Sequence, residues 1–365
     1  MRAIVAQVLL ALHHYTTAHC AVISGRGTGS LRLSRLCTSY ADLDFYGSDD
    51  QRFIEIVNAF AVRNADTVLV AGDCQAMKMV NRVHKSLLVG FCPAPDTDML
   101  TMLEDKWSFY QFCKEHGLTV PTTEFVSGKS ELNFAAVAER LGLPFVVKPL
   151  DQVASYGIEV INDEQHYKKS ILDNRAYQYA PLIVQRFVRG KDIGLNLLSI
   201  HGRVKALACQ EPDGTRVRFF ANRSLEQVAH VIASKSHYHG VMNVDARIED
   251  RTGTIYLFES NPRVWRSHYA SVWCGYNFCG ESLREQWEGD EVQRLTSGES
   301  DVYYHPVFRP SQWPTLLFDK TRHGRLLRIM MFDPYTLASS IRPLLQGGWQ
   351  RLNWVLLRRR IKRVY

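Results

Sequence analysis

The residues with the most chemical content lie between positions 243 and 268, in NVDARIEDRTGTIYLFESNPRVWRSH. Two strands joined by the charged glycine turn Asp250-Arg251-Thr252-Gly253 would bring Asp245 beside Glu259. Asn261 follows Glu259 by two residues, so an extended backbone sends both side chains to one face. An Asp, a Glu and a carboxamide converging there supply hard oxygen ligands. Mg²⁺ takes such ligands when phosphate oxygens and water complete its octahedron. Arg263 and Arg266 follow on the same connection, placed to neutralise a transferring phosphoryl group. The plainer reading is a surface hairpin with ordinary charges, and this stretch alone does not separate the two.

Further cations and a strand edge bear on that choice. Lys148 ends a continuous apolar strand in Leu143-Pro144-Phe145-Val146-Val147-Lys148-Pro149. A lysine is rarely buried without a partner, so this one is expected to emerge at a cleft and meet an anion. Lys106, in Glu104-Asp105-Lys106-Trp107, reads by itself as a solvated helix lysine. The run VQRFVRGKD (184–192) is a strand entering a glycine turn. Its edge could offer main-chain groups to a purine, with Asp192 available to a ribose hydroxyl.

The order Asp105-Lys106, PFVVKP, VQRFVRGKD, NVDAR and FESNPRVWRS resembles the ATP-grasp superfamily over residues 95–285. The last segment is most similar to the carbamoyl-phosphate-synthetase-type and carboxylate–amine-ligase branches. Upstream, the serine-to-cysteine run at 34–37 and TVLVAGD (67–73) resemble the same group's N-terminal lobe. The resemblance implies that Lys106 and Lys148 hold ATP phosphates. Main chain around Arg186, Phe187 and Val188 would meet the adenine, with Gln185 at the hinge and Asp192 on the ribose. Asp245, Glu259 and Asn261 would hold Mg²⁺, with Mn²⁺ as a substitute, and Arg263 and Arg266 would contact the γ-phosphate or an acyl phosphate. The implied activity is an ATP-dependent ligase that activates a carboxylate as an acyl phosphate and joins it to an amine. A non-catalytic ATP-binding protein, closing on nucleotide to control a partner, is the alternative. The loop 151–157, expected over the phosphates, has one glycine where many relatives have several. Asp245 stands where related branches carry Gln or Asp. The sequence opens on a helix, without the first strand and glycine turn of such lobes.

The elements that must position these residues follow from periodicity. Helix over 2–17, strand 19–24, helix 51–64, strand 67–71, helix 74–84 and strand 87–91 predict a parallel α/β lobe over 1–95. Pro93 and Pro95 close it. A single helix over 97–116 is expected, stopped by Gly117. Strands then follow at 123–127, 145–148, 158–161 and 182–188. A hairpin is expected over 194–200 and 204–209, then a helix over 225–236, strands at 242–249 and 254–259, and helices from 269. The expected fold is therefore α/β and α+β. An N-terminal parallel lobe (1–95) precedes two α+β subdomains that clamp ATP (96–295), and a helical, basic C-terminal extension (296–365) ends the chain.

Composition bounds the alternatives. The 365 residues are 46% hydrophobic and 22% charged, which excludes disorder and a disulfide-held miniprotein. Lys+Arg 44 against Asp+Glu 37 leaves +7, a mild bias towards anions. The eight cysteines include no CxxC and are expected to be reduced thiols. The apolar run 2–12 reads as an amphipathic helix rather than a signal peptide, and a cytoplasmic protein is expected. Gly25-Arg26-Gly27-Thr28-Gly29 places its glycines wrongly for a dinucleotide fingerprint and reads as a turn. His237-Tyr238-His239 reads as a polar loop rather than a zinc site.

In the tail, Trp349, Leu352, Trp354, Val355, Leu356 and Ile361 interleave with Arg351, Arg358, Arg359, Arg360, Lys362 and Arg363. Such a basic amphipathic helix suits an anionic membrane surface, peripheral at the inner face, or a protein partner. No nucleic-acid partner is expected. The substrates are expected to be small or peptide-like carboxylates and amines, and the oligomeric state is left open.

Overall fold

The structure is a computed structural model that describes residues 2–339 except 26, 46–48, 151, 153–155, 215, 285, 288, 290 and 302–309. Most of the phosphate-loop expectation at 151–157, and the whole basic amphipathic tail, lie outside the described residues.

Helix α1 (Arg2–Tyr15) opens the chain. Strands β1 (Ala21–Ser24) and β2 (Ser39–Asp42) pair in parallel. Helix α2 (Asp50–Ala61) leads to β3 (Val68–Leu69), helix α3 (Cys74–Val83) and β4 (Gly90–Phe91), and β3 and β4 are again parallel. Phe53 and Val57 of α2 meet Met79, Val80 and Val83 of α3 in one small core. The predicted alternation is present, with shorter strands than the apolar runs suggest. β2 was not marked by the sequence, because half-exposed Ser, Tyr, Ala and Asp carry no apolar signal.

The single helix expected over 97–116 is two helices, α4 (Thr97–Glu104) and α5 (Lys106–Glu115). Asp105 breaks the run: its backbone is extended, and its carboxylate accepts the Ser108 N–H at 2.7 Å as an N-cap. Lys106 thereby becomes the first residue of a new helix instead of one more mid-helix surface residue. Gly117, at φ +69°, ends α5 as predicted.

A four-stranded antiparallel sheet follows. It comprises β5 (Thr123–Val126), β6 (Phe145–Pro149), β7 (Glu159–Ile161) and β8 (Leu182–Arg186), in the order β5-β8-β6-β7. Helices α6 (Phe134–Leu141) and α7 (Glu164–Tyr167) cover it, through Val137, Leu141 and Tyr167 packed on Phe145, Val147 and Val184.

A seven-stranded sheet carries the rest. Its long strands are β9 (Gly190–Ile200), β10 (Arg203–Asp213) and β11 (Arg216–Phe220), with β12 (Gly240–Glu249) and β13 (Ile255–Asn261) following helix α8 (Arg223–Lys235). After helices α9 (His268–Trp273) and α10 (Phe278–Glu281), short strands β14 (Gln293–Leu295) and β15 (Glu299–Asp301) complete the sheet. The order is β13-β12-β9-β10-β11-β15, with β14 beside β10. Alternation divides the strands. Leu195, Leu197, Met242, Val244 and Ala246 face α5 and α8, where Phe109, Phe112, Leu225 and Ile232 complete that core. Asn196, Asn243, Asp245 and Arg247 point the other way.

The second face packs on α1, α9 and α10 and on helix α12 (Arg322–Phe332), which follows the short helix α11 (Trp313–Phe318). Val8, Leu9 and Ala11 share one core with Ala208, Phe219, Trp265, Phe278 and Leu327. Helices α1 and α12, near the two ends of the described segment, are thus packed on the central sheet. All eight cysteines are free thiols, and no described helix is long and apolar enough to cross a membrane.

Asp333, just past α12, makes the sharpest polar tie between the ends. Fully buried, it accepts from the Ser34 hydroxyl at 3.0 Å, the Arg35 N–H at 2.5 Å and the Thr336 N–H at 2.9 Å. Removing it strands three donors. Asp333→Ala is expected to lower the unfolding free energy by about 3 kcal/mol, read by urea denaturation. A loss below about 1 kcal/mol would show that the tie does not carry the docking of α12.

Candidate active site

A cleft lies where the four-stranded sheet faces the open side of β12 and β13. Antiparallel register sets its floor: Asp245 lies opposite Glu259, and Asn243 opposite Asn261. The register slips beside this pair, Asp245 taking Glu259 and Ala246 taking Leu257, so Phe258 is an extra, bulged residue. The bulge lets Leu257 enter the core while Phe258, Glu259 and Asn261 all meet cleft groups. The sequence expectation that Asp245, Glu259 and Asn261 share one face is met by this geometry. Asn261 donates its Nδ2–H to Asp245 Oδ2 at 3.2 Å.

Cations approach from two walls. Lys148, on β6, donates to Gln185 Oε1 on β8 at 2.7 Å, and its Nζ lies 4.9 Å from the centre of the Phe258 ring. Gln185 is held in turn by donating to Thr123 Oγ1 at 2.8 Å. Lys106, at the start of α5, donates to the Gln152 carbonyl at 2.8 Å and sits 3.9 Å from Glu259 Oε2. The reading of Lys106 as a solvated helix lysine is therefore corrected: it is only 8% exposed. The break at Asp105 turned it inwards.

Arg247 is the cleft residue that sequence reasoning missed. It stands opposite Asp192 across β12 and β9, and its Nη2 lies 2.6 Å from Asp192 Oδ1. Its Nη1 donates to the Val188 carbonyl at 2.8 Å, and its guanidinium lies 5.6 Å from the Phe258 ring and 5.8 Å from Phe187. The signal was available in NVDAR, where Arg247 alternates with Asp245 and must share its face. Arg186 turns its side chain to Glu249 at 3.2 Å and over Tyr256 at 4.8 Å, while its N–H donates to Thr122. The Arg186 N–H and the Val188 carbonyl are thus already committed, which narrows the main-chain groups a purine could meet. Asp192, expected near a ribose, is paired with Arg247 but remains well exposed.

Arg263 donates to Asn261 Oδ1 at 3.0 Å and to the Val264 carbonyl at 3.1 Å, which aims it beside the carboxylates. Arg266 is exposed on the same connection. On the far side of Arg263 stand Cys74, at the start of α3, and Glu104, at the end of α4. The Cys74 thiol is pushed well up by burial and by Glu104, against the opposing pull of Arg263. Glu104 is paired with Lys78 at 2.8 Å. Cys74 of the N-terminal lobe therefore lies close enough to Arg263 to feel its charge, with Glu104 of α4 beside the thiol.

The charges are strongly coupled. Both Asp245 and Lys148 are touched by solvent along the cleft yet surrounded by protein. Burial, then the facing Glu259, pushes the Asp245 carboxyl up to about 8. Burial, with Lys106 and Arg247 adding repulsion, brings Lys148 down to about 8, against the attraction of Glu259 and Asp245. Two carboxylates facing each other in a poorly solvated cleft favour a cation between them, and two carboxylates with an amide oxygen form an all-oxygen donor set that fits Mg²⁺. Among the described residues no cluster of three or more His, Cys, Asp or Glu side chains could hold a metal. A metal here would rest on two carboxylates and Asn261, with other ligands from phosphate and water.

Two sheets gripping a charged cleft in this order define a nucleotide-clamping architecture. Residues 103–267 match the family model of the ATP-grasp domain, and this part of the chain is an ATP-grasp domain. Over 228 residues the chain is 24% identical to the arginine-specific carbamoyl phosphate synthase large chain of Bacillus subtilis, covering 58% of this chain and 22% of that one. It is 25% identical to the D-aspartate ligase of Enterococcus faecium over 224 residues, covering 53% and 52% respectively. The chain thus spans about half or less of the length of these curated relatives. Among solved structures, the N5-carboxyaminoimidazole synthetase of Staphylococcus aureus complexed with ADP superposes with a TM-score of 0.58 at 15% identity, covering 81% of this chain and 77% of that one. That likeness shows the ATP-grasp fold.

Lys148 gives a pH test. A lysine attracts phosphate only while protonated, and with its pKa lowered to about 8 it loses that charge as pH rises through 8. ATP affinity is expected to be level below about pH 7.5 and to weaken above 8, by up to about tenfold per pH unit. Lys148→Arg, which keeps its charge, should lose less affinity than wild type above pH 8, the remaining loss tracking ionisation of Asp245. Fluorescence titration with a labelled ATP analogue reads both. Identical pH profiles for wild type, Lys148→Arg and Lys148→Met would rule Lys148 out of the phosphate site.

Proposed function

We propose that the chain is an ATP- and Mg²⁺-dependent ligase that activates a carboxylate as an acyl phosphate and joins it to an amine. The observation that carries this reading is the facing pair Asp245 and Glu259, with Asn261 beside it, opposed by Lys106 and Lys148 and flanked by Arg263. The relatives named as a D-aspartate ligase and a carbamoyl phosphate synthase point the same way.

In this reading Lys106 and Lys148 bind the ATP phosphates from two walls, Lys148 exchanging part of its bond to Gln185 for phosphate oxygen. Main chain around Arg186, Phe187 and Val188 borders the adenine, with Gln185 on β8 just before the turn between the sheets. Asp192, oriented by Arg247, reaches the ribose. Asp245, Glu259 and Asn261 hold Mg²⁺, which when bound offsets charge on the transferring phosphoryl group. Arg263, and Arg266 further out, add positive charge where the γ-phosphate meets the substrate. The substrate carboxylate oxygen forms a bond to the γ-phosphorus as the bond to ADP breaks. The amine then attacks the acyl carbon, and inorganic phosphate leaves. Catalysis of this kind rests on positioning and charge neutralisation, which is what the cleft supplies. Cys74, Glu104 and Lys78 border the side from which a substrate would meet Arg263.

The test is release of ADP and phosphate across pooled carboxylates and amines. Turnover on at least one pool is expected, reduced by about a hundredfold or more in Glu259→Gln. Tight ATP binding without turnover on any pool would favour a nucleotide-controlled binding protein. Turnover untouched in Glu259→Gln would refute the metal assignment.

For the extension we propose contact with an anionic lipid surface at the cytoplasmic face. Leu317 and Phe318 are each 77% exposed and Phe332 is 66% exposed, beside exposed Lys320, Arg322 and Arg325. Exposed apolar side chains with cations nearby in the chain suit a headgroup layer. Flotation with phosphatidylserine vesicles should recover the full-length chain, and Leu317→Ser with Phe318→Ser should reduce recovery. No flotation of the full chain would end this proposal.

A further inference from the structure

Asn261 heads a row of five polar side chains that runs head to tail across the cleft face of the large sheet to Ser267. Asn261 on β13 donates its Nδ2–H to Asn243 Oδ1 on β12 at 3.3 Å. Asn243 donates to Asn196 Oδ1 on β9 at 3.0 Å, and Asn196 donates to Gln210 Oε1 on β10 at 3.0 Å. Gln210 then donates to Ser267 Oγ at 2.9 Å, and that hydroxyl returns a bond to Gln210 Oε1 at 3.1 Å. Strand register puts Asn261, Asn243 and Asn196 directly opposite one another, so the row is built into the sheet. Gly194 lies opposite Gln210. A Cβ there would come within 3.2 Å of Asn243 Nδ2 and of Gln210 Cγ and Nε2, so the missing side chain makes room for the row.

The row has a direction. A carboxamide can turn over with little change of shape, so its partners decide which atom faces which way. Turning Asn261 over would set its oxygen against both Asn243 Oδ1 and the Asp245 carboxylate. As it stands, Asn261 Oδ1 accepts from Arg263 at 3.0 Å. Each amide behind it is buried and oriented by the next, and buried amides seldom leave an N–H or C=O unmatched. The row also ends on Ser267, so both ends of the connection bearing Arg263 and Arg266 are tied to it.

We propose that Asn243, Asn196 and Gln210 are positioning residues. They hold Asn261 with its oxygen towards the metal and phosphate, and they clamp the arginine-bearing connection at residues 261 and 267. The proposal rests on the metal role of Asn261 given above. None of the three touches ATP or metal in this arrangement; each acts through Asn261 or Ser267.

The test compares Asn196→Leu with Asn196→Asp in the full chain. Leucine keeps the branching at Cγ, is somewhat larger, and removes both amide functions. An aspartic acid buried here keeps its proton, so its C=O still accepts from Asn243 and its O–H still donates to Gln210. Mn²⁺ binding in the presence of a non-hydrolysable ATP analogue is read by the electron paramagnetic resonance signal of free Mn²⁺. Asn196→Leu is expected to weaken Mn²⁺ about tenfold, and Asn196→Asp to stay within about twofold of wild type. Metal-free binding of the analogue should fall in Asn196→Leu by no more than about threefold, through the arginine-bearing connection, and so by less than the loss of Mn²⁺ affinity. Wild-type Mn²⁺ affinity in Asn196→Leu would overturn the proposal, as would an equal loss of metal-free analogue binding. Should Asn196→Leu fail to fold, Gln210→Leu at the far end is expected to weaken Mn²⁺ about threefold, and an unchanged affinity there overturns the proposal equally. Wild-type protein that does not take up Mn²⁺ with the analogue would refute the metal site itself and leave the row without a ligand to orient.

Discussion

Two carboxylates placed opposite each other by strand register, in a cleft with little water, are the constraint that organises the surrounding charge. Burial and the facing Glu259 raise the Asp245 carboxyl, so nearby cations favour its charged form. The protein supplies three from different elements: Lys106 from the start of α5, Lys148 from β6, and Arg247 from the same strand as Asp245. Each of the three also bonds to something that fixes its direction. The result is a cleft whose charges are arranged before any ligand enters, which is the condition for electrostatic catalysis.

Local departures from regular structure are what bring these groups together. The bulge at Phe258 turns a ring towards Lys148 while keeping Leu257 in the core and Glu259 over the cleft. The break at Asp105 converts one long helix into two and moves Lys106 from a surface to an interior position. The turn between β8 and β9 is strapped by Arg247 to Val188 and Asp192, and by Arg186 to Glu249 and Tyr256. Both sheets are therefore connected through side chains that also border the cleft. A change at any of these straps would act on the relative setting of the two walls.

The sequence was most legible where a motif is short and its backbone regular. Asp245, Glu259 and Asn261 could be assigned to one face because a strand alternates with period two and a hairpin is a local event. Lys148 could be assigned to a cleft because an apolar strand cannot end on a charge without a partner. Lys106 alone reads as solvated, and only the family resemblance pointed to phosphate, because whether Asp105 caps a new helix depends on what α4 and α5 pack against. β2 escaped notice because its four residues carry no apolar pattern. Cys74, Glu104 and Lys78 lie beside Arg263 only because α3 and α4 dock against the end of β13, a contact between distant segments.

By itself, then, the amino-acid sequence determined most of the element order, the ATP-grasp character of residues 103–267 and which polar residues share the face of the β12–β13 hairpin. These depend on spacing along one strand or one turn, which neighbouring residues specify. Only the tertiary structure decided which cations face which carboxylates, how far burial moves Asp245 and Lys148, and that Asn261 is backed by amides from three other strands. Those features depend on distances between segments far apart in the chain and on the water that packing excludes. Neither quantity is a property of any short stretch of sequence.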